Sequence, residues 1–271
     1  MKSKNSKTAL VTGASSGIGK AFAEELAADG FNLVLVARRI DRINSLKADL
    51  EAAHGIKALV IEADLFDPQS PTKIFNRTVK EGVSIDILIN SAGFGCPEEY
   101  LELPWQKHAD FIQVMVTAVC QLTHAFLPGM VERGYGRIIN VSSLSGLLPG
   151  SLGHTLYGPA KSFLIKMSDS LTLELKGKGI NVTALCPGFT YSEYHDVCGM
   201  REVVSKSSRL MWSDAKSVAR DGIKAVMSGK PVYVPGTTNK FIAVLAKYLP
   251  SPLLKIIASQ QNSLLHRPEH S

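Results

Sequence analysis

The chain has 271 residues, 45% of them hydrophobic and 20% charged, which is ample material for a core and excludes disorder over most of the length. Thirty Lys and Arg against 24 Asp and Glu leave a net charge of +6, a surplus too small and too scattered to suggest a nucleic-acid protein. Cys96, Cys120, Cys186 and Cys198 make no Cys-x-x-Cys pair, so neither a zinc knuckle nor a disulfide framework is indicated, and four reduced thiols are expected.

In chain order, short apolar runs rich in β-branched residues predict strands at 8–11, 32–37, 57–63, 86–90, 137–142, 181–186 and 232–234. Segments of helical period lie between them at 16–29, 40–54, 70–81, 105–133, 155–177 and 214–228. This alternation predicts an α/β fold: a doubly wound parallel sheet of about seven strands with helices on both faces. No linker or internal repeat interrupts it, so one domain is expected over 1–271. Its cofactor-binding part is expected at about 8–187, a lid at 188–212 and a C-terminal helical extension at about 238–260. The start, MKSKNSK followed by TALV, has no signal-peptide core, and no apolar run reaches the length of a transmembrane helix. A soluble, cytoplasmic protein is expected.

Directly after the first strand stands Thr12-Gly13-Ala14-Ser15-Ser16-Gly17-Ile18-Gly19, opening a helix. Gly13 permits the tight turn, Gly17 lets the backbone approach a pyrophosphate, and Gly19 lets the helix pack close to the strand. The free N–H groups and positive end of that helix then face the phosphates. The second strand ends Val36-Ala37-Arg38-Arg39, without the carboxylate that an NAD site places there for the ribose 2′-hydroxyl. A guanidinium suits a 2′-phosphate, so Arg38 points to NADP(H), with NAD(H) as the lesser possibility.

Tyr157 and Lys161 fall at i and i+4 of a helix and so share a face. An ammonium beside a phenol favours the phenolate, which suits the pair to proton exchange with a carbonyl or alcohol. TGASSGIG, Asn90-Ser91-Ala92-Gly93, Ser143, Tyr157-Gly158-Pro159-Ala160-Lys161 and Pro187-Gly188 stand in an order that resembles the short-chain dehydrogenase/reductase family from residue 8 to about 190. The resemblance implies a Rossmann sheet, a nicotinamide cofactor and hydride transfer between it and a carbonyl or alcohol. It also implies that the cofactor is held by Gly13, Ser15, Ser16, Gly17, Ile18, Gly19, Arg38, Asp64 (beside the adenine), Asn90, Ala92, Gly93, Tyr157, Lys161 (on the nicotinamide ribose), Pro187 and Gly188. Ser143 would polarise the substrate carbonyl, Tyr157 would be the general acid/base, and no metal is implied.

Three positions depart from the family pattern. Met115 stands where the family has a catalytic asparagine; its main-chain carbonyl could still hold a relay water, so a weakened proton relay is expected. The interval from Ser143 to Tyr157 is one residue longer than usual, which leaves Ser142 or Ser145 as alternatives to Ser143. Ser91 replaces a second asparagine. Substrate contacts are expected from 93–100, 144–156 and the lid, whose Phe189, Tyr191, Tyr194, Val197, Met200 and Met211 suit an apolar substrate. His154 and His195 nearby are read as polar contacts. Around 240–258, apolar residues alternate with Lys240, Lys247 and Lys255, read as subunit contact or lid packing rather than membrane-surface attachment. A homodimer or homotetramer is expected. The leading function is an NADP(H)-dependent carbonyl reductase or alcohol dehydrogenase. The alternatives are a 3-oxoacyl thioester reductase meeting an acidic acyl-carrier protein, and a non-catalytic NADP-binding sensor or scaffold.

Overall fold

Each predicted strand carries apolar side chains on both sides, and the central ones are buried on both faces in a computed structural model that describes residues 7–95, 98–150, 155–191 and 212–249. The strands are β1 (Thr8–Thr12), β2 (Asn32–Ala37), β3 (Ala58–Glu62), β4 (Ile87–Asn90), β5 (Gly136–Val141), β6 (Ile180–Leu185) and β9 (Val232–Tyr233). They form one parallel sheet in the order β3-β2-β1-β4-β5-β6-β9. The direction in which strands are added reverses between β1 and β4, and the crevice at their carboxyl ends is where such folds bind ligands.

The alternation along a strand sorts the core into two layers. Ala9 and Val11 of β1, with Leu33 and Leu35 of β2, pack with Phe22 and Leu26 of α1 (Gly17–Ala28), Ile43 of α2 (Ile40–His54) and Val218 of α7 (Ala215–Met227). Leu10, Val34 and Leu88 point the other way, to Ile74 of α3 (Ser70–Lys80) and Leu122 and Phe126 of α5 (Ala118–Glu132). The helix α6 (Tyr157–Glu174) covers β5 and β6 on the same side as α5.

The helix expected over 105–133 is continuous from Trp105 to Glu132, but it is not uniform. A regular stretch, α4 (Trp105–Ile112), passes through a π-helical turn at Gln113–Thr117 before α5. Such turns insert one extra residue, and they recur at functional sites. By length and composition this is a helix that could cross a membrane, yet it lies against the sheet with Phe111, Val114, Leu122, Phe126 and Met130 buried.

The described parts of the expected lid include two short strands. β7 (Phe189–Tyr191) and β8 (Trp212–Asp214) pair in parallel, and Trp212 stacks on Tyr191 at 4.5 Å and on Phe189 at 5.5 Å. Three-residue strands have no periodicity to detect, so the sequence shows only a polar loop there. Tyr194, His195, Val197, Met200 and Met211 of the lid, and His154, lie outside the described residues. Among the described residues a helix, α8 (Thr237–Tyr248), follows β9; residues 250–260 of the expected extension also lie outside them.

Candidate active site

Thr12 closes β1 with a buried hydroxyl that accepts the N–H groups of Ser91 (3.0 Å) and Ala92 (3.1 Å) and donates to the Ile89 carbonyl (3.3 Å). These bonds clamp the ends of β1 and β4 together and build the floor of the crevice. Gly13 turns the chain with φ +69°, and a Cβ there would stand 2.9 Å from Ala92 Cα, so only glycine fits. A Cβ on Gly19 would collide with the Gly13 carbonyl, which is why α1 can start so close to the strand. At the N-cap of α1, Ser16 makes no capping bond, and no carboxylate occupies the first turn. The helix therefore presents free donors and its positive end to the crevice, and this cradle fits a pyrophosphate. Ile18 is partly buried against the core beneath it.

The two arginines after β2 part company. Arg39 turns back to the loop, donating to Ser15 Oγ (Nε 3.2 Å, Nη2 3.0 Å) and Ser16 Oγ (2.8 Å). Arg38 instead lies over the Phe66 ring at 5.5 Å, and the exposed Asp64 accepts the Phe66 N–H through Oδ1 at 3.1 Å. The sequence singles out Arg38; the structure sets Arg39 on the phosphate loop, because the first turn of α2 carries it back over the loop. Asn90 sits beneath the crevice, with its amide donating to Asn140 Oδ1 at 2.9 Å, and Asn140 donating to Ser168 Oγ at 2.9 Å. The side chain of Asn90 thus begins a buried link that joins β4, β5 and α6.

Ser143, Tyr157 and Lys161 come together at the carboxyl end of β5. Ser143 follows the strand in extended conformation, and its Oγ accepts the Ser145 N–H at 3.1 Å at the start of a short 3₁₀ turn. The alternative Ser142 is committed elsewhere: its buried hydroxyl donates to the Lys161 carbonyl at 2.7 Å and pins the first turns of α6 to β5. Tyr157 opens α6, and Lys161 Nζ lies 5.6 Å from the centre of its ring. Lys161 is fully buried and donates to the Val141 carbonyl at 2.8 Å. Burial pushes its ammonium down to about 8. Burial likewise pushes the Cys186 thiol up to about 12, with the Lys161 charge opposing it. The Leu144 N–H donates to the Pro187 carbonyl at 2.9 Å, which ties the serine turn to Pro187-Gly188.

Met115 occupies the middle of the π turn, buried among Phe111, Ala160, Phe94 and Tyr157. A Cβ on Gly93 would stand 3.0 Å from its sulfur and 4.0 Å from Lys161 Nζ, so Met115, Gly93 and Lys161 share one wall of the site. Beyond Tyr157 is a small cavity lined by Glu98, Tyr100, His108, Phe111 and Leu156. Sequence reasoning misses His108: it is buried, stacked on Tyr100 at 4.4 Å, with Nε2 2.9 Å from the Tyr100 carbonyl. It misses Asn239 too, which is buried and fills the space above Gly188. No local signal marks either residue, because packing on other segments is what gives each its place.

A family model described as short chain dehydrogenase matches residues 7–199. The chain belongs to the short-chain dehydrogenase family. One relative in this family is the very-long-chain 3-oxoacyl-CoA reductase of Mus musculus, 38% identical over 183 residues; the match spans 66% of this chain and 58% of the mouse protein. Among solved structures, a 7beta-hydroxysteroid dehydrogenase superposes with TM-score 0.82 at 25% identity over 97% of both chains. A short-chain dehydrogenase from Sphingobium yanoikuyae in complex with NADPH superposes with TM-score 0.78 at 28% identity over 98% of both chains.

Proposed function

We propose that this chain is an NADP(H)-dependent oxidoreductase that interconverts an apolar ketone and its alcohol, with Tyr157 moving the proton. The observation that carries the reading is the convergence of Ser143, Tyr157 and the buried Lys161 at the carboxyl end of β5, beside the glycine cradle. The NADPH held by the Sphingobium relative supports the cofactor. When bound, the nicotinamide supplies or accepts the hydride.

The residues divide the remaining work. The first turn of α1 binds the pyrophosphate, and Arg39 and Arg38, at the rim, neutralise a 2′-phosphate. Ser143 Oγ, held by the Ser145 N–H, keeps its own proton to donate to the substrate carbonyl oxygen. Tyr157 donates its phenolic proton to that oxygen in reduction and takes one back in oxidation. The Lys161 ammonium, in a medium without water to screen it, stabilises the phenolate that Tyr157 becomes. Phe111, Leu156 and Tyr100 give the substrate side an apolar wall, with Glu98 and His108 as its polar groups.

The test is a panel of ketones and alcohols assayed with NADPH and NADH in parallel, on wild type and Tyr157→Phe. Turnover should fall by about 10²–10⁴ in the variant while cofactor affinity survives. Near-normal turnover of Tyr157→Phe would overturn the assignment. The mouse relative gives a second reading, a 3-oxoacyl thioester reductase; acyl thioesters in the same panel separate the two.

A further inference from the structure

The charge surplus, expected from composition to be scattered, is carried by one segment. From Gly222 to Pro268 the chain has no Asp or Glu, and its six cations there, Lys224, Lys230, Lys240, Lys247, Lys255 and Arg267, equal the entire net charge of +6. The rest of the chain is electrically balanced.

The helix α8 lies in this cationic segment, and its two faces differ. The inner face carries Asn239, buried against Gly188, with Nδ2 donating to the Pro235 carbonyl at 3.1 Å. The outer face exposes Phe241 (64%), Val244 (53%), Leu245 and Tyr248 (73%) at i, i+3, i+4 and i+7, a continuous apolar stripe two turns long. Lys240 and Lys247 follow one border of the stripe, and Lys230 and Lys240 both rest on the Tyr233 ring, at 5.4 and 5.1 Å. Among the described residues, Lys224, Lys230, Lys240 and Lys247 form no ion pair with a carboxylate.

We infer that α8 docks this protein on an anionic lipid surface, its stripe sunk among the acyl chains and its lysines at the headgroups. An exposed aromatic and aliphatic stripe bordered by lysines is the physical pattern of a helix lying in a membrane interface. A second copy of the chain is the weaker occupant. A symmetric contact through α8 would set lysines facing lysines, with no carboxylate anywhere in 222–268 to pair them. An acidic protein would answer the charge but leave large side chains such as Phe241 and Tyr248 with nothing to enter. The sequence-based expectation is subunit or lid contact; among the described residues the stripe is exposed, and that exposure together with its lysine border favours a lipid surface. The docked face lies on the helix that seals Pro187-Gly188, so the crevice would sit close to a lipid-borne substrate.

The experiment is co-sedimentation of the full chain with vesicles of phosphatidylcholine alone or mixed with phosphatidylglycerol, at low and high salt. Wild type should pellet with the mixed vesicles and be released by salt. Lys240→Gln with Lys247→Gln should weaken binding about 25-fold, roughly fivefold for each lysine. Phe241→Ser with Tyr248→Ser should abolish pelleting while circular dichroism and gel filtration stay unchanged. Wild type left in the supernatant would overturn the inference. So would aromatic variants that bind as well as wild type, which would make the contact one of charge alone. So would aromatic variants that change from oligomer to monomer, because a second copy would then cover the stripe.

Discussion

Replacing Lys161 with methionine should remove activity and, at neutral pH, leave the fold at least as stable as wild type. The side chain is fully buried, and burial holds its pKa near 8 rather than the ordinary 10.5. That displacement corresponds to about 3 kcal/mol against the charged folded form at pH 7. Methionine keeps the apolar stem and removes the charge. Against this gain, the Val141 carbonyl loses its partner, at a cost of about 1–3 kcal/mol. The sharper test is the pH dependence. In the unfolded chain Lys161 binds its proton below pH 10.5, but in the folded chain only below about 8. Between these values the unfolded state holds more protons, so wild-type stability rises with pH. The penalty is fully present below pH 8 and gone above 10.5. Cys186, pushed up to about 12, remains a thiol throughout this window. Urea unfolding of both proteins from about pH 7 to 10.5 should therefore show wild type gaining about 3 kcal/mol relative to Lys161→Met. Parallel stability curves would refute the reasoning, since they would mean that Lys161 is hydrated in the folded protein.

Arg38→Asp should shift preference toward NAD(H). One charge-assisted bond to phosphate is worth about 1.5–3 kcal/mol, so NADPH affinity measured by titration should fall roughly ten- to a hundredfold. Arg39→Ala should lower NADPH affinity at least as far, because Arg39 also orders Ser15 and Ser16, and wild type binding NADH as tightly as NADPH would contradict both. Met115→Asn should raise turnover with little change in cofactor binding. It should also lower the melting temperature, since an amide buried without partners costs about 1–3 kcal/mol. A folded but inactive Met115→Asn would mean that the site has been rebuilt around the methionine.

What the sequence by itself determined is local in origin. Strand and helix periods, the glycine turn after β1 and the four-residue step from Tyr157 to Lys161 depend only on neighbours in the chain, so composition and spacing were enough to place the seven-stranded sheet and the candidate residues. Partnership and burial depend on residues far away, and these the tertiary structure decided. Arg39 rather than Arg38 meets the glycine loop because of how α2 departs from β2. Ser142 is spent on α6, and Lys161 owes its low pKa to the enclosure made by β5 and β6. Met115 shares a wall with Gly93 because a π turn lies where periodicity alone indicates an unbroken α-helix. The pairing of β7 with β8 joins residues on either side of the lid. The exposure of the α8 stripe among the described residues was invisible for the same reason: the amphipathic pattern shows that a helix has an apolar face, but only the packing of the other elements determines what lies against it.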